Sequence, residues 1–365
     1  MRVKLQDVCR NESSSLMLKQ IHKEGGDYPV YGASGLVGYA DFFQQDKPYV
    51  AVVKDGAGIG RAMLLPAKSS VIGTMQYLIP RDTILPEYLY FVVKNMRLER
   101  FFSGATIPHI YFKTYKHEQF NLVDLKSQKK IVFVLGKVEN LISDRERELA
   151  LLDDLVKSRF LELFGDPETN PKEWKKRPLA EVITTANNGM ARRGNDEDGN
   201  IVMRLVELQD GYIDYSNPNR IVLTDAEKKR YLLKDKDFLF VRVNGNPDNV
   251  GRCAVFTDIG EPVYHNDHII RVHFDDSIID GSFASALLNG AYGKRQLKNQ
   301  IKTSAGQYTV SQDGIGAIVA ILPPIELQRE FVAFIAQVDK SKLAVQQSLE
   351  KLETLRKSLM QHYFG

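Results

Sequence analysis

The sequence predicts an α+β chain: two β-rich globular domains separated by two long antiparallel helices that form a coiled-coil-like spacer, in a pseudo-two-fold circular arrangement. Three observations predict it. One segment of the chain recurs near its end, both copies carry a heptad stripe, and the stretch before each copy is made of short β-prone runs.

The recurrence is an internal repeat. Residues 127–165 align on residues 327–365 without a gap, at an offset of 200. Gln128 meets Gln328, Val132 meets Val332 and Val138 meets Val338. Leu149, Leu152 and Leu155 meet Leu349, Leu352 and Leu355, and Phe164-Gly165 meets Phe364-Gly365. Upstream, at the same offset, Lys94 meets Lys294, Ala105 meets Ala305 and Leu122 meets Leu322. Near the domain starts, Lys4-Leu-Gln-Asp-Val8 resembles Pro178-Leu-Ala-Glu-Val182 at an offset of 174, so the second domain is longer by 200 less 174, about 26 residues. The frames match while the middles differ, which describes two variable modules on one scaffold.

Both copies read as helices. Neither contains an internal proline, and Glu, Lys, Leu, Gln and Arg dominate. Each ends in Phe-Gly, and glycine tolerates the left-handed conformation that closes a last turn. Ile131, Leu135, Val138, Ile142, Leu149, Leu152, Val156 and Leu163 recur at steps of about four and three; so do Phe331, Ile335, Val338, Val345, Leu349, Leu352, Leu359 and Tyr363. Such a stripe wants a partner helix. The seam is expected from Ile131, Leu135, Val138, Leu149, Leu152, Ile335, Val338, Leu349 and Leu352. Arg145 interrupts one stripe where the other has Val345, and Lys342 interrupts the second where the first has Ile142. Equal length suits an antiparallel pair; two separate helices, each on its own domain, is the alternative. The divisions are then 1–126, a first domain; 127–165, a central helix; 166–325, a second domain; and 326–365, a closing helix. A closed arrangement brings Gly365 near Met1.

The domains read as β-rich. Tyr49-Val-Ala-Val-Val53 is followed by a Gly-rich turn and Ala62-Met-Leu-Leu65. Tyr28-Pro-Val-Tyr-Gly-Ala-Ser-Gly-Leu-Val-Gly-Tyr39 reads as strand, glycine turn, strand. In the second domain, 201–205, 238–243, 254–256 and 269–274 are strand candidates. A short helix fits 87–100, with a counterpart at 283–298.

At 365 residues the chain suits two or three domains. Two distant cysteines, Cys9 and Cys253, suggest neither a disulfide framework nor a zinc cluster. With no apolar signal core and no 18-residue apolar run, a soluble cytoplasmic protein is expected. Residues 1–126 carry 16 basic and 12 acidic side chains, and 166–325 carry 20 and 22. Whole-domain charge therefore does not point to nucleic acid, and a local basic stretch must carry that claim.

Motifs for chemistry are few. Asp55-Gly-Ala-Gly-Ile-Gly60 invites a nucleotide loop, which needs a helix start behind its glycines. A β-prone segment follows instead, and Gly60-Arg61 matches Gly251-Arg252, whose preceding turn has no cofactor pattern. A hairpin loop is expected. His265 and His268 resemble a metal fragment, yet nothing completes a ligand set, so no metal site is assigned. There is no Asn-Pro-Pro-Tyr, no P-loop and no Gly-x-Ser-x-Gly. No catalytic residue and no bound cofactor are expected.

A basic stretch lies late in each domain. The first has Lys94, Arg97, Arg100, Lys113 and Lys116 interleaved with aromatics, and the second has Lys294, Arg295, Lys298 and Lys302 with Tyr308. Lys54, Arg61, Arg242, Asn244, Asn246 and Arg252 sit on or beside hairpin turns. Lys and Arg neutralise phosphates, while Arg, Asn, Gln and Lys read base edges. One basic cluster is usually a solvated face; recurrence at matching positions favours DNA.

A variable domain, a Gln-x-x-Ile/Phe-Val helix ending in Phe-Gly, a second variable domain and a similar closing helix resemble the specificity subunit of type I restriction-modification systems. Residues 28–39, Pro323-Pro-Ile-Glu-Leu-Gln328 and the two helices carry the resemblance, which covers essentially the whole chain. It implies that each domain is a target recognition domain reading one half of a split site in double-stranded DNA, and that the helices fix the spacer. A helix of about 37 residues is about 55 Å long at ~1.5 Å per residue, against ~34 Å for a turn of DNA. It further implies two modification (methyltransferase) subunits docked on the helices and supplying S-adenosylmethionine, and restriction subunits joined through the complex. The competing classes are a methyltransferase or nuclease fragment, which would need a catalytic motif, and a scaffold that binds the modification subunits without reading DNA.

Overall fold

The computed structural model describes residues 1–23, 25–56, 58–104, 108–304 and 306–365, with residue 304 described for its backbone alone. Two compact units emerge. One is Met1–Leu149 with Ala344–Gly365, and the other is Ala150–Leu343. The long helices are Leu125–Phe164 and Ile325–Phe364, 40 residues each, and each gives one part to each unit.

The first unit is built on a four-stranded antiparallel sheet in the order Cys9–Ser13, Met75–Pro80, Tyr49–Val53, Ala62–Leu65. Tyr49–Val53 is buried along its whole length, which its unbroken apolar run requires of a strand covered on both faces. A second sheet runs Gly35–Ala40, Tyr28–Gly32, Ser70–Val71, with the last pair parallel. Arg2–Lys4 pairs with Gln119–Asn121.

The second unit repeats this plan with different side chains. Its four-stranded sheet runs Ile183–Asn188, Ile269–Phe274, Phe238–Val241, Cys253–Val255. Its three-stranded sheet runs Arg220–Ile221, Asn200–Met203, Val263–His265, again with the last pair parallel. Lys175–Pro178 pairs with Val319–Leu322. Part of the extra length is the helix Asp225–Tyr231; a third sheet, Val243–Asn244, Gln307–Thr309, Lys302–Ser304, has its counterpart in the first unit in the bridges Asp55–His109 and Ser103–His109.

The expected helix over 87–100 is Pro86–Asn95 with a 3-10 turn at Leu98–Phe101. Its expected counterpart over 283–298 is two helices, Gly281–Asn289 and Ala291–Gln300, broken at the extended Gly290. The second approaches the first so closely that a Cβ on Gly293 would lie 2.3 Å from the Leu288 backbone. The break overturns one sequence equivalence. Lys94 ends a helix that packs like Gly281–Asn289, whereas Lys294 lies on the next helix, which stands where Leu98–Phe101 stands in the first unit, so the ungapped offset fails between these lysines. The Ala105–Ala305 match lies outside the described residues.

One device anchors both long helices. Gln128 is fully buried; it accepts from Leu85 N (2.9 Å) and donates to Thr83 O and Val123 O (3.0 and 2.9 Å). Gln328, equally buried, accepts from Asp280 N and donates to Ile278 O and Pro323 O (2.9, 3.0 and 2.8 Å).

Within each unit the helices run antiparallel. In the first, Leu359, Met360, Tyr363 and Phe364 pack on a core that holds Ile131 and Leu135, so the end of the closing helix meets the start of the central one. Val3 and Leu5 belong to that core, which therefore joins both ends of the chain. In the second, the rings of Phe160 and Phe164 lie 5.5 and 5.4 Å from Phe331. Of the expected seam, Ile131, Leu135, Val138 and Val338 are buried, while Leu149, Leu152, Ile335, Leu349 and Leu352 are half-buried. Lys342 crosses to Asp153 on the central helix at 2.6 Å, and Arg145 pairs along its own helix with Glu148. Those partners explain how the stripes tolerate the two charges.

Candidate nucleic-acid interface

The hairpin that follows the central strand is the same in both units. Gly60 N donates to Val53 O (2.9 Å) and Val53 N to Arg61 O (3.0 Å); Gly251 N donates to Val241 O and Val241 N to Arg252 O (both 2.8 Å). Both glycines are left-handed, with φ of +81° and +82°. A Cβ on Gly60 would come within 2.4 Å of Glu99 N, so the chain needs glycine there. The Gly-rich run is thus the turn of a hairpin, with no helix behind it; Ala57 lies outside the described residues. Ile110 N donates to Lys54 O and Val310 N to Arg242 O (both 2.9 Å), which makes Lys54 and Arg242 equivalent.

In the first unit Lys54 lies 3.8 Å from Asp55, whose other oxygen is 2.6 Å from His109 Nδ1. Arg61 donates to Ala33 O at 3.1 Å. His109 stacks on the exposed Tyr111, with Lys113 Nζ 5.3 Å from that ring. Lys54, Arg61, Lys113 and Lys116 therefore sit on the hairpin and on the segment beside it. Lys94 is held by Glu139 of the central helix at 2.6 Å. With the exposed Arg97 it lines a cleft of about 680 Å³ with Glu350, Glu353, Arg356 and Lys357.

Arg100 pairs with Glu118, and the second unit likewise ties down three of its cations. Lys294 reaches Asp210 at 2.8 Å, and Arg252 approaches the same carboxylate at 3.6 Å while donating to Gln209 Oε1 at 3.1 Å. Arg295 pairs with Glu168 at 2.6 Å. Lys298 and Lys302 are exposed and form no ion pair among the described residues. Asn244 and Asn246 spend their side-chain oxygens on the turn itself, accepting from Asn246 N and Asp248 N. Asn244 faces Tyr308 across the third sheet, and Asn244, Arg252 and Gln209 edge a pocket of about 260 Å³ with Leu205 and Val206.

Three residues here were not legible as a site. Asp267 is 2.7 Å from Arg193, and its carbonyl accepts from Arg242 at 3.2 Å. Arg193 also lies 3.0 Å from His268 Nε2. Burial and then Arg193 lower the pKa of His268, so at neutral pH its ring nitrogen accepts that contact. Arg193 sits in an acidic stretch far from the other cations in sequence, and only folding unites them.

His265 is fully buried and donates through Nδ1 toward Tyr231 O at 3.1 Å; burial, helped by Arg271, lowers its pKa to about 4. It is a core group. Burial raises the thiol of Cys9 to about 12 and that of Cys253 well above its ordinary value, which suppresses the reactive thiolate. Among the described residues no cluster of His, Cys, Asp and Glu could hold a metal ion, and no helix is long and apolar enough to cross a membrane.

Comparison with known proteins adds the following. A family model described as the type I restriction modification DNA specificity domain matches residues 1–151 and 171–354. The type I restriction enzyme StySPI specificity subunit of Salmonella potsdam is 26% identical over 323 residues, covering 82% of this chain and 69% of that protein. The EcoKI specificity subunit of Escherichia coli K12 is 24% identical over 221 residues, covering 59% of this chain and 47% of that one. The chain thus spans about two thirds of the first relative and about half of the second. Among solved structures, the type I restriction-modification S subunit from M. genitalium superposes with a TM-score of 0.65 at 17% identity, over 100% of this chain and 96% of that one. A chain from a structure of type I complex assembly and conformational transition gives 0.54 at 16%, over 99% and 96%.

Proposed function

The chain belongs to the type I restriction modification DNA specificity domain family, and from that premise we propose that each of its two units reads one half of a bipartite site in double-stranded DNA. The recognition modules are residues 1–126 and 166–325. The helices at 127–165 and 326–365 set the spacer and carry the docking surface for two modification subunits, through which restriction subunits join. The chemistry of methyl transfer and cleavage belongs to those partners.

One observation carries the reading. The two units share strand order, hairpin hydrogen bonds and helix anchors, yet differ in the side chains mounted on them. A duplicated frame with exchanged surface residues is what two readers of different sequences need. That each long helix contributes to both units supports the spacer role, since its length is then a property the units share.

Phosphate contacts in the second unit fall to Lys298 and Lys302, together with the ion-paired Lys294 and Arg295. The test is DNA binding against salt concentration. Each lost phosphate contact lowers the slope of log K against log salt by about 0.9. Lys298→Ala with Lys302→Ala is expected to weaken binding evenly across sequences and reduce the slope by about two; a scaffold that reads no DNA leaves both unchanged.

A further inference from the structure

We propose that Arg193 and Arg242 are the base-reading arginines of the second unit and that Asp267 is the residue that positions them, an assignment that rests on the DNA reading above. Asp267 lies on the turn between strands Val263–His265 and Ile269–Phe274. Its carboxylate approaches Arg193 Nη2 at 2.7 Å, as an ion pair rather than an aligned hydrogen bond, since Asp267 Oδ1 makes none. Its carbonyl accepts from Arg242 Nη1 at 3.2 Å. Asp267 N donates to Met190 O (2.9 Å) and Arg242 N to His268 O (2.7 Å), so one turn tethers the loop bearing Arg193 and the strand bearing Arg242.

Two guanidiniums are thus fixed at one place by a residue that uses only part of each donor fork. Arg193 also spends Nη1 on Ala191 O at 2.8 Å and Nη2 on His268 Nε2 at 3.0 Å, yet its side chain remains 52% exposed, so these contacts use only part of its five donors. A guanidinium held in one orientation loses little entropy when it forms the two-pronged contact to guanine O6 and N7, whereas a phosphate contact needs no such fixing and suits a flexible lysine.

The first unit supplies an internal comparison. There Lys54 N donates to Thr74 O (2.9 Å) and Gly73 N to Leu16 O (2.8 Å), the same two backbone bonds. Lys54, Gly73, Thr74 and Leu16 stand where Arg242, Asp267, His268 and Met190 stand in the second. The backbone recurs and every side chain has changed. A cluster kept only to brace the fold would recur, as Gln128 and Gln328 do; a cluster that reads sequence must differ between modules with different targets.

The test is selection from randomised duplexes by the full chain assembled with its modification subunits. Wild type is compared with Asp267→Asn and with Arg193→Lys, which keeps the charge and loses the fork without disturbing the turn. Both variants are expected to lose base preference at one or two adjacent positions of one half-site, keep the other half-site, and bind the wild-type site roughly 10- to 100-fold more weakly with an unchanged salt slope. Selection of the wild-type motif by both variants overturns the assignment, even if their melting temperatures fall. So does an even loss across sequences with a reduced slope, the signature expected of Lys298→Ala. A wild-type assembly that selects no motif overturns the DNA reading itself and this assignment with it.

Discussion

A single glutamine does the same work twice in this chain. Gln128 and Gln328, both fully buried, each satisfy one backbone donor and two carbonyls. Replacing either with Leu keeps the volume and strands those groups, and an unsatisfied buried polar group costs about 1–3 kcal/mol. Gln128→Leu is expected to lower unfolding stability by about 2–5 kcal/mol, measured by denaturant titration; a change under about 1 kcal/mol would refute the anchoring role. His265 gives a second residue-scale prediction. Its folded pKa of about 4 lies below the ordinary 6.5, so the unfolded chain takes up the proton first. Stability is then whole above pH 6.5 and declines as pH falls toward 4, by roughly 3 kcal/mol in all. His265→Gln should flatten that decline in melting temperature measured against pH, and an unaltered profile would assign it to other groups.

At the scale of elements, the long helices were legible because their information is periodic. The stripe from Ile131 to Leu152 and its copy needed no knowledge of the fold, and the ends at Phe164 and Phe364 coincide with the Phe-Gly stops. The Lys342–Asp153 contact was not legible, because a heptad break shows where a charge falls and not which residue meets it. That pair is partly exposed, so Lys342→Ile should change stability by less than about 1 kcal/mol. Leu135→Ala, in a fully buried position, should cost about 2–5 kcal/mol. Both are read by thermal unfolding. Deleting one heptad from each helix preserves the phase of the stripes and shortens each by about 10 Å at ~1.5 Å per residue. On the spacer proposal, methylation mapping should then report half-sites unchanged and a spacer shorter by about three base pairs. A change in the half-sites instead would end that proposal.

At the scale of the molecule, the end of the closing helix completes the core that the start of the chain begins. Leu359, Met360, Tyr363 and Phe364 pack on the cluster of Val3, Leu5 and Tyr88, and the ring of Phe364 lies 5.3 Å from that of Tyr88. Removing residues 356–365 should therefore expose the first unit to protease while Ala150–Leu343 keeps its protection, a contrast that hydrogen exchange can map. Equal loss in both units would show that the core does not depend on this closure.

Periodicity and repetition are local quantities, so the sequence by itself determined the duplication, the two helices and the strand-rich modules between them, and favoured antiparallel pairing of the helices over two separate ones. It also determined that Gly60-Arg61 and Gly251-Arg252 belong to one kind of turn. Charge partnership is not local. The sequence showed Lys94 and Lys294 as equivalent cations, and the tertiary structure gave one to Glu139 and the other to Asp210, because they lie on successive helical segments that are not equivalent. It also gathered Arg193, Arg242, Asp267 and His268 from segments up to 75 residues apart. Strand pairing and the turns it positions decide such meetings, because each register brings together residues whose separation along the chain carries no pattern.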